Sequence, residues 1–368
     1  MNENFLDKKL EERIKNNSLR HLSLPCDKID FCSNDYLGIV KNKIIEKSIS
    51  PNLSHGSTGS RLLAGNYSLI EKTEKLIAEF HNAEAGLIFN SGYDANIGAL
   101  GSIPQKNDAI IYDQFSHASL RDGIRLSFAT SFSFLHNDLT DLEKKLSAVK
   151  NTSQNIFVVT ESVFSMDGDF APLKKIIDLC EKYNASLIVD EAHATGVVGE
   201  KGAGLVQQLN LQKKCFARIH TFGKACGAHG AIVLGSVQLK KYLINFARTF
   251  IYSTALPPAA IEAIRISYQT FPAMEKERNH IHELTGFFKK AELKYKILQS
   301  NTPIQAVIIP GNEEVKKMAK TLQEHHFNIR AILYPTVPKG QERLRIVLHA
   351  FNRVEEVEEM VKILATNS

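Results

Sequence analysis

Two apolar runs that each break off into polar residues constrain this chain more than any other feature. The first is Leu187-Ile188-Val189, followed by Asp190-Glu191-Ala192-His193. The second is Ile219-His220-Thr221-Phe222-Gly223-Lys224, followed by the glycine-spaced stretch Ala225-Cys226-Gly227-Ala228-His229-Gly230. A short apolar run ending in a polar cluster reads as a buried strand whose carboxyl end does the work. In open α/β sheets, ligands sit just outside such ends. Asp190, His193, Thr221 and Lys224 are therefore expected to converge on one crevice.

That foursome has a chemical sense. A lysine that forms a Schiff base needs a carbonyl partner, and pyridoxal phosphate is the common one. Its ring works as an electron sink while the ring nitrogen stays protonated, which an adjacent carboxylate such as Asp190 ensures. His193 is spaced to donate to the ring's phenolate oxygen and Thr221 to hold a phosphate oxygen. The glycines beside Lys224 let backbone approach a ligand closely.

The stretches Ile188-Val-Asp-Glu-Ala-His-Ala-Thr-Gly196 and His220-Thr-Phe-Gly-Lys-Ala225 resemble the α-oxoamine synthases. So do Ser33-Asn-Asp-Tyr-Leu-Gly38 and Glu161-Ser-Val-Phe-Ser-Met-Asp-Gly-Asp169. The resemblance runs from about Leu19 to the C-terminus. It implies pyridoxal phosphate-dependent fold type I, the aspartate aminotransferase-like fold: a mostly parallel sheet in a large α/β domain, plus a small α+β domain. It also implies an acyltransferase that condenses an amino acid with an acyl thioester and releases carbon dioxide. The stretch Phe246 to Pro258 looks closest to the biotin-pathway branch, which joins L-alanine to a pimeloyl thioester on coenzyme A or a carrier protein. Branches using glycine or serine share this chemistry, and a non-catalytic partner subunit is a further alternative.

Length and composition agree with such an enzyme. The chain has 368 residues, 43% of them hydrophobic, enough for two domains. The boundaries expected are an N-terminal segment over 1–45 packing with the small domain, a cofactor domain over 46–272 and an α+β domain over 273–368. A net charge of +5 without a Lys/Arg run gives no expectation of nucleic-acid binding. The five cysteines, Cys26, Cys32, Cys180, Cys215 and Cys226, include no CxxC pair. That points away from zinc or disulfides and towards a reducing cytoplasm. The N-terminus from Met1 is too polar for a secretion signal, and no apolar run reaches the roughly 18 residues of a membrane span.

The order of elements carries the same message. Leu6, Leu10 and Ile14 repeat at helical spacing, and so do Leu69, Thr73, Leu76, Ile77 and Phe80. Strands are expected at Gly86–Phe89, Ile110–Tyr112, Ser131–Leu135, Ile156–Thr160 and Ala231–Leu234. A helix opening at Gly92, capped by Ser91, presents free amides and a positive dipole end to an anion. Alternating strands and helices argue a parallel sheet wrapped by helices.

The resemblance assigns further roles. Lys224 holds the cofactor and acts as base, with Asp190, His193 and His117 as the other catalytic residues. His117 lies on the ring face and Ser165 hydrogen-bonds near the ring. Gly92, Tyr93 and Thr221 hold the phosphate. A hydroxyl from Ser253 or Thr254 reaches across a homodimer to the neighbour's phosphate. Arg20, Asn34, Thr336 and Arg345 contact substrates, and Arg345 is the carboxylate clamp, because a guanidinium grips a carboxylate bidentately. Thr58 stands where many relatives carry glycine.

Overall fold

The structure is a computed structural model that describes residues 3–22, 24 and 27–366. Met1 and Cys26 lie outside the described residues. The chain divides into two compact units. One combines residues 1–36, 166–169 and 276–368; the other combines 37–165 and 170–275.

The larger unit is built on a seven-stranded sheet. Its spatial order is Ala85–Phe89, Ala231–Gly235, Ala217–Thr221, Ser186–Asp190, Ile156–Glu161, Ala109–Asp113 and Thr130–Phe134. Only Ala231–Gly235 runs antiparallel to its neighbours. The other neighbouring pairs are parallel. Parallel pairing needs a crossover between strands, and here it is made mostly by helices such as Gly92–Leu100, Ala118–Leu126 and Leu173–Lys182. Helices on the sheet faces explain why Leu187, Ile188 and Val189 are almost fully buried, as continuous apolar runs predict. The core joins Leu87, Phe89, Val159, Ile188, Ile219 and Val233 to Ala95, Ala99 and Leu243 from the helices. Cutting Ile188 or Ile219 to alanine there would cost about 2–5 kcal/mol.

Parallel strands bring their carboxyl ends to one edge. Glu161 lies level with Asp190, and Asp190 with Ile219 in the next strand. The sheet thus sets chemically active residues side by side although they are remote in sequence.

The smaller unit has a four-stranded antiparallel sheet in the order Arg330–Ile332, Arg343–Val347, Ile304–Ile308, Lys296–Ile297. The short strand Ile29–Asp30 pairs in parallel with Phe327–Asn328, which ties the N-terminal segment into this unit. Phe31, Phe288, Val307, Leu322, Phe327, Leu344 and Met360 share its core. The tip at 166–169 belongs here because the Gly168 carbonyl accepts from Ser300 Oγ at 2.8 Å and from Thr302 Oγ1 at 3.0 Å. Gly168 has φ +74, and a side chain there would meet the Ile304 carbonyl at 2.2 Å, so only glycine fits. The first helix, Asn4–Lys15, buries none of its residues, and Leu6, Leu10 and Ile14 are exposed.

Candidate active site

A cavity of about 270 Å³ opens at the carboxyl edge of the large sheet. Of the residues singled out in the sequence, Gly92, Tyr93, His117, Asp190, His193, Thr221 and Lys224 all line it.

Lys224 follows the Ala217–Thr221 strand by three residues, and its Nζ lies 2.8 Å from His193 Nε2. Asp190 ends its strand and is 5% exposed. Its Oδ1 accepts from the Ala192 amide and its Oδ2 from Asn96 Nδ2, both at 2.8 Å. These donors fix the carboxylate in a buried setting that would otherwise penalise its charge.

At the other end, Ser91 caps the helix Gly92–Leu100, its hydroxyl oxygen accepting from the Asp94 amide at 3.0 Å. The first intrahelical bond is Ala95 N–H to Ser91 O, so the Gly92 and Tyr93 amides precede the ladder. A side chain on Gly92 would stand 2.7 Å from Thr221 Cγ2, so glycine is what lets the helix start and the strand end close on each other. Beside them Thr221 Oγ1 is buried without a hydrogen-bond partner. An orphaned hydroxyl next to open amides is a set of donors waiting for an anion.

His117 caps the helix Ala118–Leu126 and also lines the cavity. Its Nδ1 meets Ser119 Oγ at 2.7 Å, and its amide donates to Glu161 Oε1 at 2.6 Å. Burial lowers the His117 pKa, with Asp190 opposing and Lys224 adding to the shift. Burial pushes Glu161 up to about 8, and the neighbouring Asp190 charge pushes the same way.

Three of the residues assigned to the cofactor lie outside the lining. Ser165 sits in the turn after the Ile156–Glu161 strand. Ser253 and Thr254 line a separate hollow with Arg61, Asn90 and Thr249. Thr254 bridges to Ser60, and its carbonyl accepts from Asn90 Nδ2 at 2.8 Å.

The four residues assigned to substrates in the sequence belong to the smaller unit and form two pairs. Arg345 donates to Asn34 Oδ1 at 2.9 Å, and Arg20 to Thr336 Oγ1 at 3.3 Å. Arg343, two positions along the same strand, is buried and paired with Asp167; burial lowers its pKa to about 10. Arg345 is only partly buried.

Sequence reasoning missed Asn96, Ser119 and His229, which also line the cavity. Asn96 was within reach: it lies one helical turn beyond Gly92 and so faces the same way.

The pattern of the class I and II aminotransferases matches residues 26–364. The chain belongs to this family, in its α-oxoamine synthase branch. An 8-amino-7-oxononanoate synthase of Emericella nidulans is 39% identical, covering 93% of this chain and 90% of that protein. One from Lysinibacillus sphaericus is 38% identical over 90% and 86%. Among solved structures, serine palmitoyltransferase of Sphingomonas wittichii superposes with a TM-score of 0.84 at 28% identity, covering 92% and 87%. The 8-amino-7-oxononanoate synthase of Francisella tularensis gives 0.73 at 29%, covering 92% and 97%. α-Oxoamine synthases are pyridoxal phosphate enzymes, and the cavity of this one fits that cofactor. It offers a lysine amine, a buried carboxylate held by two donors, and an unpartnered hydroxyl beside a helix start.

Proposed function

We propose that this protein is an 8-amino-7-oxononanoate synthase of biotin biosynthesis. It would join L-alanine to a pimeloyl thioester and release carbon dioxide and the carrier thiol. The observation that carries the reading is the Lys224 amine, 2.8 Å from His193 in a cavity that also holds buried Asp190 and the orphaned Thr221 hydroxyl. Relatives of that name match nine-tenths of the chain.

When bound, pyridoxal phosphate supplies an electron sink for the carbanion formed at the amino acid's α-carbon. Lys224 would hold the cofactor through its amine, and that amine would serve as the general base towards the substrate's α-proton. Asp190, oriented by Asn96 and the Ala192 amide, keeps a proton on the ring nitrogen. His193, beside Lys224, would donate to a ring oxygen of the cofactor. His117, which lines the cavity, would lie against the ring, and Ser165, outside the lining, would hydrogen-bond near it. The Gly92 and Tyr93 amides and the Thr221 hydroxyl hold the phosphate. Arg345 clamps the substrate carboxylate, and Arg20, Asn34 and Thr336 supply further substrate contacts. The working form is a homodimer in which Ser253 or Thr254 serves the neighbour's phosphate. No helix among the described residues is long and apolar enough to cross a membrane, and we assign the enzyme to the cytoplasm.

A second reading, serine with a long-chain thioester, draws on the higher TM-score of the serine palmitoyltransferase. The higher sequence identity to the 8-amino-7-oxononanoate synthases decides against it. Thiol release measured with alanine, glycine and serine, each against pimeloyl and long-chain thioesters, tests the choice. Turnover should be highest with alanine and the pimeloyl thioester. A preference for serine with the long chain would reverse the assignment.

A further inference from the structure

We infer that His229 is a further phosphate-binding residue, supplying the positive charge that the other donors at that end of the cavity lack. The inference rests on the cofactor reading above.

Backbone pairing places His229. Ala231 lies opposite Thr221 in one neighbouring strand and opposite Phe89 in the other. The Phe222 amide donates to the Gly230 carbonyl at 2.9 Å, and the Ala228 amide donates to the Phe222 carbonyl at 2.8 Å. Gly230 has φ +112, and a side chain there would press on the Phe89 carbonyl at 3.0 Å. The turn carrying His229 is therefore folded tightly over two strand ends. One leads to Thr221 and the other to Asn90, Ser91 and Gly92, the two sides of the phosphate end.

His229 lines the same cavity, and its side chain is exposed. Among the described residues, no hydrogen bond or ion pair engages its ring. The other cationic side chains of the lining are committed elsewhere. Lys224 lies against His193, and the His117 ring is held by Ser119.

The remaining donors at the phosphate end are neutral: two backbone amides and one hydroxyl. The Ser91 hydroxyl is already spent on the Asp94 carboxylate at 2.8 Å, which adds a negative charge at the same helix start. A phosphate monoester carries about −1.5 to −2 at neutral pH. A charge-assisted bond from an imidazolium meets that need, and charged pairs are roughly twice as strong as neutral ones.

The test compares pyridoxal phosphate with pyridoxal, which lacks the phosphate, in equilibrium binding read by visible absorbance. Replacing an exposed side chain opens no cavity in the core, and thermal unfolding of each variant checks that the fold is kept. His229→Gln should weaken pyridoxal phosphate binding about 10- to 100-fold and change pyridoxal binding less than about twofold. His229→Arg should restore most of the loss. Equal weakening of both ligands would mean a structural role and overturn the inference. Unchanged binding of both, with a shifted KM for the pimeloyl thioester, would move His229 to the substrate and also overturn it. Wild-type protein that failed to prefer pyridoxal phosphate over pyridoxal would instead bring down the cofactor reading, and this inference with it.

Discussion

Asn96 Nδ2 donates to Asp190 Oδ2 at 2.8 Å, joining the helix Gly92–Leu100 to the buried carboxylate proposed to face the cofactor ring. Asn96 is 2% exposed and also donates to Ser119 Oγ at 2.9 Å. One buried amide therefore couples three cavity elements. Asn96→Ala leaves Asp190 with the Ala192 amide alone. Losing one hydrogen bond to a buried charge costs about 1.5–3 kcal/mol, so cofactor affinity should fall roughly 10- to 150-fold. Equilibrium dialysis against pyridoxal phosphate measures it, and an unchanged affinity would show that Asn96 only packs.

Arg343 and Arg345 separate two roles that sequence alone left close together. They alternate with buried Leu344 along one strand, so both point to the same face. Arg343 is buried against Asp167, whereas Arg345 is partly exposed and bonds Asn34. Arg345→Lys should weaken L-alanine binding, because lysine offers a point charge where a guanidinium fork would meet both carboxylate oxygens. The expected loss is about 2–5 kcal/mol, or roughly 30-fold to several thousand-fold, with little change in the thioester KM. Arg343→Lys should lower the unfolding temperature and leave alanine affinity nearly intact. Spectral titration with L-alanine and thermal unfolding distinguish the two, and the opposite pattern would transfer the clamp to Arg343.

The strand ends were legible because a buried parallel strand writes itself as an apolar run with a polar stop. Asp190, Thr221 and Lys224 all lie at such stops, and helical spacing with a serine cap placed Gly92. Asn96 escaped because its partner lies 94 positions away, and nothing local marks a helical asparagine as a carboxylate donor. His229 escaped because a lone histidine in a turn has no spacing partner. Thr58 was noticed as standing where the resemblance implies glycine, and its φ of 59 is a left-handed conformation that glycine adopts more easily. The pairing of Arg343 with Asp167 was invisible, since it depends on the tip at 166–169 joining a unit whose other residues lie far away in sequence.

Glu191 gives a pH signature. It is fully buried, and its Oε1 accepts from the Val206 amide at 3.1 Å. Burial pushes its pKa from the ordinary 4.5 up to about 7. The folded state therefore keeps a proton that the unfolded state releases. The stability tied to that proton is full below about pH 4.5 and is lost as pH rises towards 7. Buried His81 and His220 act the opposite way, since burial lowers both well below 6.5. The signal is thus a difference between proteins. Denaturation midpoints of Glu191→Gln, which stays neutral, should gain on wild type as pH rises from 5 to 7. Parallel curves for the two proteins would show that the Glu191 carboxyl does not titrate in this range.

Ser253 and Thr254 line a hollow apart from the cavity in their own chain, so their assigned role requires a neighbour. Two inactive variants, Lys224→Ala and the Ser253→Ala/Thr254→Ala double change, make this testable by subunit exchange. If sites are shared, a mixed dimer has one site carrying both lesions and one carrying neither. Random exchange of equal amounts puts about half of all subunits in mixed dimers by the symmetry of a two-fold assembly. Each mixed dimer then has one intact site, so activity should recover to roughly a quarter of wild type. If each site is built within one chain, every site keeps one lesion and no activity returns. Thiol release before and after exchange, with mixing verified by mass-tagged subunits, separates the outcomes. Recovery near a quarter would place the hydroxyl on the neighbour, and none would return Ser253 and Thr254 to a local role in the Ser60 bridge.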